Sequence, residues 1–283
     1  MCRMLTIIGL SSYISRLRGP LLDSLVKASR RDPYAEKLFK KNVFSHGDGW
    51  GRIAVGFDRD GLYRLSIYKS LKPIYLDSYT SVFEDGDLND LLVMADLIHA
   101  RASSKNMKVN IYSTHPAEAV TRSGYKLYII HNGTVNKDLL VENLSLNKDS
   151  EYVEKYNDTH FLAQYLAERD IKSIDRSVIT DIKRFVKTAL NIGLVLVRDN
   201  DILIAIGSYY IDPDNSVEKF NYYKIYRAYR DDLYVYASST LIDHYKPNID
   251  LKWNVIENGR FDIYRISPNT SSPVSFLDSF TIA

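Results

Sequence analysis

Cysteine is nearly absent from this chain: there is one, Cys2, in 283 residues. A disulfide within the chain is thereby excluded, as is any zinc site built from several thiolates. Long apolar runs are missing too. No stretch approaches the roughly 20 residues a helix needs to cross a membrane. The apolar opening from Met4 to Leu10 lacks the basic flank, length and small-residue cleavage site of a secretory signal. Cytoplasmic residence without a membrane partner is the expectation. A surplus of one charge is also missing, with 37 Lys and Arg against 35 Asp and Glu. That balance leaves no electrostatic footprint for nucleic acid or acidic lipid, so neither is expected as a partner. Linker-like tracts, repeats and low-complexity segments do not occur, and one domain over residues 1–283 is expected.

What is present suits a globular core: 45% hydrophobic and 25% charged residues. The apolar spacing predicts a strand over 4–10 and a helix over 21–40 with a break near Pro33. Strands rich in β-branched and aromatic residues follow at 51–57, 63–68, 93–99 and 126–131. Helical spacing returns at 158–168 (Phe161, Leu162, Tyr165, Leu166) and at 175–191 (Ile179, Ile182, Phe185, Val186, Leu190). Strand-like runs close the chain at 191–198, 202–208, 222–229, 233–238 and 261–267. Strands, paired helices, then strands is the order of a layered α+β protein.

The histidines gather where chemistry is expected. Five of the six, His46, His99, His115, His131 and His160, lie in short polar or glycine-bearing clusters. These are His46-Gly47-Asp48-Gly49-Trp50-Gly51, His99-Ala100-Arg101, Thr114-His115-Pro116, His131-Asn132-Gly133 and Asn157-Asp158-Thr159-His160. Each has a purely local reading: Asn-Gly as a hairpin turn, Asn-Asp as a helix cap, Gly-Asp-Gly as a tight loop. The His99-Ala100-Arg101 cluster at a strand end fits a residue held in a structural ion pair, and Cys2 alone fits a small buried hydrophobe. A metal centre is disfavoured, because no His-Glu-x-x-His helix and no close His pair on one helical face is present. No metal and no cofactor are expected.

Taken jointly and in this order behind a second-position cysteine, the clusters resemble the class II glutamine amidotransferases, and the match spans most of the chain. The Asp-Gly-Trp-Gly and Thr-His-Pro pieces and Ala237-Ser238-Ser239 are similar to the short, stand-alone branch of that family. The resemblance implies a four-layer αββα sandwich of the N-terminal-nucleophile hydrolase type, with antiparallel sheets and with the helices at Asp158 and Asp175 in one outer layer. It also implies roles. Once Met1 is removed, Cys2 supplies the thiol nucleophile, and its own α-amine, with an ordinary pKa of about 7.7 to 8.0, accepts the proton. The Asn132 amide and the Gly133 backbone N–H form the oxyanion hole. Arg101 holds the α-carboxylate of a glutamyl group and Asp158 its α-ammonium. His46 through Gly51 pack beside the nucleophile, with Gly49 allowing close approach and Trp50 closing the wall.

The expected activity is cleavage of the γ-amide of glutamine or of a γ-glutamyl compound through a Cys2 thioester. Two alternatives remain: a glutaminase subunit passing ammonia to a separate synthase chain, and a glutamyl-binding module without turnover. One departure from the family pattern stands out. Large synthase-linked members read Arg-Trp-Ala-Thr-His-Gly where this chain has Arg101-Ala102-Ser103-Ser104-Lys105, so a different lid is expected. The resemblance implies that the family fold uses most of the 283 residues, so no ammonia-consuming domain is expected within them.

Overall fold

The structure is a computed structural model and describes residues 2–77, 90–103, 107–212, 214–268 and 271–283. Ser104 and Lys105, where the departure from the family pattern falls, lie outside the described residues, as does Met1. The architecture can be followed from β1 (Arg3–Leu10), whose successive side chains point to opposite faces. Met4 and Ile8 join one apolar cluster, and Leu5 and Ile7 join another. A strand covered on both faces reads as a continuous apolar run, as this one does.

β1 is the middle of a seven-stranded antiparallel sheet. Its neighbours are β2 (Trp50–Asp58), β3 (Tyr63–Ser70), β4 (Leu91–Ala100), β9 (Ile225–Arg230), β10 (Leu233–Ser238) and the short β11 (Asn254–Val255). The order is β11-β9-β10-β1-β4-β2-β3. A second, six-stranded sheet holds β5 (Ala117–Val120), β6 (Lys126–Val135), β7 (Val186–Arg198), β8 (Asp201–Ser208), β12 (Arg260–Ile266) and β13 (Val274–Thr281). Its order is β13-β12-β8-β7-β6-β5. Ile53, Val55 and Leu97 of the first sheet meet Ile130, Val195 and Ile204 of the second in one buried cluster, so the sheets lie face to face.

Helices cover both outer faces. α1 (Ser11–Arg30) buries Ile14, Leu21 and Leu25 against Leu5, Ile7 and Met94 of the first sheet. α2 (Pro33–Leu38) follows it. On the second sheet lie α3 (Lys137–Asn143), α4 (Glu151–Lys155), α5 (Asp158–Glu168) and α6 (Arg176–Lys183). Phe161 and Leu162 of α5 and Ile179 and Ile182 of α6 share one core with Leu127, Ile129 and Leu194 of that sheet. α7 (Val217–Tyr223) and α8 (Ser239–Asp243) are short. The αββα sandwich, with the Asp158 and Asp175 helices in one outer layer, is therefore what the chain forms.

Several boundaries differ from the sequence reading. The helix expected over 175–191 ends at Lys183, and Val186 opens β7, which pairs with both β6 and β8. Two ladders of backbone hydrogen bonds outweigh a run of helical spacing there. The strand expected over 222–229 begins only at Ile225, because Ser216 caps a helix through the Lys219 N–H and buries Tyr222 and Tyr223. α1 starts ten residues before the expected helix and runs through Pro20. A mid-helix proline costs about 3 kcal/mol, whereas each fully buried Leu or Ile of this helix contributes about 1.5–3 kcal/mol. Four of them, Ile14, Leu21, Leu22 and Leu25, are buried, so packing wins.

Candidate active site

Alternation along three strands delivers three polar side chains to one end of the gap between the sheets. Cys2 shares the inward face of β1 with Met4, and His99 shares that of β4 with Leu97. Asn132 shares that of β6 with Ile130. All three are buried. The Cys2 backbone N–H donates to Asn132 Oδ1 at 2.9 Å, which ties the start of the first sheet to the second. The amide nitrogen of the same side chain, Asn132 Nδ2, is buried with no hydrogen-bond partner among the described residues. An orphan donor of this kind costs about 1–3 kcal/mol, and it is aimed from a residue that touches the cysteine.

The Cys2 thiol lies 3.9 Å from the Ala102 carbonyl oxygen. Burial pushes that thiol up, but charge on the neighbouring His99 and at the chain's N-terminus, with the Ala102 backbone, outweighs it and holds Cys2 well below the usual thiol range. Next to Asn132, β6 carries a bulge between Gly133 and Val135. A side chain at Gly133 would collide with the Ala189 carbonyl, 1.9 Å from an ideal Cβ. The Val135 N–H beside the bulge donates to Asp158 Oδ2 at 2.9 Å.

Two opposite charges here make no ion pair among the described residues. Arg101, 3% exposed, donates only to the carbonyls of Asp48 at 3.5 Å and Lys108 at 3.3 Å, and makes no ion pair among the described residues. Asp158, 6% exposed at the start of α5, accepts backbone N–H groups of Val135 and Thr159 and likewise has no cation in salt-bridge contact there. Buried charges are normally paired. The arrangement suits a ligand carrying a carboxylate and an ammonium.

The loops are set by residues of the glycine clusters. The Ser103 N–H and hydroxyl both donate to Asp48 Oδ2, at 2.7 and 3.0 Å, and the backbone of Asp48 and Gly49 pairs with that of Arg101. Asp48 thus fixes the turn that holds Arg101 and Ala102. Gly49 has φ of 101°, where a side chain is strained, and an added Cβ would sit 2.5 Å from the Ser70 carbonyl. At Gly51 the His115 carbonyl lies 1.8 Å from the ideal Cβ position.

His46 and Trp50 do not line the gap between the sheets. The His46 ring is wholly buried against Asp32, 2.7 Å away, which also receives Arg3 Nε at 2.5 Å and the Thr240 hydroxyl at 2.8 Å. Burial would raise the Asp32 carboxyl, but Arg3 and His46 hold it far below the usual carboxylate range. His46 therefore braces the strand that bears Cys2. Trp50 points the other way, into the cluster under α1, where its Nε1 donates to Asp77 at 2.9 Å. The expected pocket wall is a core residue, because Trp50 has the outward parity of Ala54.

The remaining histidines are struts. His131 packs outward from β6, with its ring nitrogens 3.1 Å from the Thr159 hydroxyl and 2.9 Å from the Ala189 carbonyl. His160 Nε2 lies 2.6 Å from the Tyr152 hydroxyl, and its ring stacks on Tyr156. Asn157 caps α5 through the His160 N–H and donates to the Ser113 carbonyl. Sequence reasoning passed over two residues that the structure places here, Asp48 and the ring of His99. Both stood inside clusters already singled out.

No protein-family model matches the chain, and a search of curated proteins returns no match. Solved structures do match. One is described as the allosteric regulatory enzyme of purine biosynthesis, with TM-score 0.56 and 16% identity over 99% of this chain and 49% of that one. Another is glutamine phosphoribosylpyrophosphate amidotransferase from B. subtilis, complexed with ADP and GMP, with TM-score 0.54 and 18% identity over 99% and 49%. The chain shares the fold of these two structures. It spans about half the length of the proteins it matches.

Proposed function

We propose that the chain is an N-terminal-nucleophile amidohydrolase that cleaves the γ-amide of glutamine or of a γ-glutamyl compound through a Cys2 thioester. The observation that carries this reading is Asn132, which accepts the Cys2 N–H at 2.9 Å while its Nδ2 remains a buried donor without a partner. A donor fixed beside a nucleophile and unused in the resting site is what an oxyanion requires, since stabilisation counts only where charge develops. The amidotransferase fold supports it.

The chemistry then follows from the placement of groups. Removal of Met1 frees the α-amine of Cys2 beside Asn132 Oδ1, where it accepts or relays a proton. Arg101 holds the glutamyl α-carboxylate and Asp158 the α-ammonium, which leaves the side-chain amide to reach Cys2. Attack by sulfur moves charge to the carbonyl oxygen, which Asn132 Nδ2 and the Gly133 N–H receive. Gly49 shapes the adjoining loop, while His46 and Trp50 contribute support rather than contacts.

A second reading, delivery of the released ammonia to a separate synthase chain, draws on the solved structures, one of which is named as an amidotransferase. The test of both is glutamate release from glutamine and γ-glutamyl peptides by protein with a free Cys2 amine, alone and with cell extract fractions that raise it. Turnover that vanishes when Met1 is retained is the expected result. Absence of turnover with every γ-glutamyl compound, in the presence of a free Cys2 amine, refutes the reading.

A further inference from the structure

Behind Cys2 lie three buried imidazoles whose protons can be placed from their neighbours. The His131 backbone N–H donates to His115 Nδ1 at 3.3 Å, so that nitrogen acts as an acceptor, while His115 Nε2 lies 3.4 Å from Asn157 Nδ2. His99 Nε2 lies 2.9 Å from the His131 carbonyl oxygen and 3.1 Å from His115 Nδ1. Both of these are acceptors, so His99 Nε2 carries a hydrogen and the free lone pair of neutral His99 is on Nδ1. That atom is buried and has no partner with hydrogen-bond geometry among the described residues.

The strand register sets this ring beside Cys2. Met4 is paired with His99 across β1 and β4, so Cys2 is the diagonal neighbour of His99 on the same inward face, within reach of a long side chain. We propose that His99 is a catalytic residue whose Nδ1 takes the Cys2 thiol proton and keeps the nucleophile as a thiolate. The proposal rests on Cys2 being the nucleophile of the reaction above. It adds a second base to one that the N-terminal amine would otherwise supply alone.

Each proton has a destination. The S–H bond breaks with its electron pair on sulfur, and the proton joins Nδ1 to make an imidazolium. Sulfur then forms the C–S bond as the carbonyl π pair moves to oxygen. When the tetrahedral adduct collapses, the C–N bond breaks and the leaving nitrogen takes the Nδ1 proton, restoring neutral His99. Water attacks the thioester, gives a proton to Nδ1, and the C–S pair returns to sulfur.

The surroundings keep this charge on His99. Burial drives His115 well below its ordinary value, and any positive charge on His99 or His131, with that of Arg101, reinforces it, so His115 stays a neutral acceptor. An acceptor behind Nε2–H fixes the tautomer of the His99 ring and leaves Nδ1 free to accept. The charged and titratable groups facing the His99 ring are Cys2 from β1, His115 from the loop before β5, His131 from β6 and Arg101 beyond β4. Asp158 of α5 acts through His131.

The test is the rate of Cys2 alkylation by iodoacetamide against pH, without substrate, on the processed chain and on His99→Asn. Wild-type protein is expected to react with an inflection below the ordinary thiol range. In H99N the inflection moves up by at least about one unit, so reactivity at pH 6.5 falls about tenfold. An unchanged profile in H99N with native near-ultraviolet circular dichroism overturns the proposal. If H99N does not fold, His99→Gln is measured in its place; the same upward shift is expected, and an unchanged profile in folded H99Q overturns the proposal. Because no glutamine is present, a chain that fails to cleave any γ-glutamyl amide yet keeps this His99-dependent profile refutes the substrate and not the base.

Discussion

Replacing Asn132 by alanine separates catalysis from stability, because the two atoms of that amide do different things. Oδ1 accepts the Cys2 N–H at 2.9 Å, and Nδ2 bonds to nothing described. Losing the first bond costs about 0.5–1.5 kcal/mol, while losing the orphan donor removes a penalty of about 1–3 kcal/mol. The two nearly cancel, so the melting temperature is expected to hold or rise slightly. The transition state fares differently. One oxyanion donor contributes about 2.7–4 kcal/mol, and at about 1.4 kcal/mol per decade that is a fall in kcat of roughly 100- to 1000-fold.

The ground-state carbonyl makes no strong claim on the same donor, so KM for glutamine is expected to change by less than about threefold. Glutamate release measured over a range of glutamine concentrations separates the two constants, and a thermal melt on the same sample reads the stability. A kcat within tenfold of wild type refutes the oxyanion assignment. So does a loss that appears wholly in KM, which would make Asn132 a substrate-binding residue. A collapse of the melting temperature by more than about 10 °C would mean that the Cys2 contact, not the donor, is what the side chain is kept for.

Other expectations follow from the same geometry. Arg101→Gln and Asp158→Asn each remove one buried charge that would face a zwitterionic ligand, and KM for glutamine is expected to rise at least about 30-fold in steady-state kinetics, equivalent to about 2 kcal/mol or more. Gly51→Ala places a methyl 1.8 Å from the His115 carbonyl oxygen unless the backbone shifts, and a calorimetric melt should show a loss of about 1–3 kcal/mol. His160 is held neutral by burial, with its pKa lowered to about 4. Its stabilisation is complete above the ordinary histidine value of about 6.5 and drains away as pH falls toward 4, by about 3 kcal/mol at most; His160→Gln should flatten the fall in urea midpoint over that window.

How much of this was legible in the sequence depends on the length scale of the cause. β1, β4, α5 and β8 were readable because their apolar residues recur at the period of the element itself. The helix boundary at Lys183 and the α7 turn at Tyr222 were not, since each is decided by partners distant in sequence: two strand ladders in one case, and Ala35 and Tyr210 around Tyr222 and Tyr223 in the other. Pro20 misled for a related reason, as a local penalty is visible in sequence and the sheet that outweighs it is not.

The site divides along the same line, and parity decides it. Cys2, His99 and Asn132 share the inward phase of their strands, whereas Trp50, one residue before an inward Gly51, carries the outward phase and lands in the core under α1. Motif spelling treats Gly49-Trp50-Gly51 as one unit, but a strand splits such a unit between two faces. The same rule separates His131 from Asn132, sending the ring toward α5 and the amide toward Cys2. A motif therefore names the neighbourhood, and the two-residue period of the strand says which of its members can touch the cysteine.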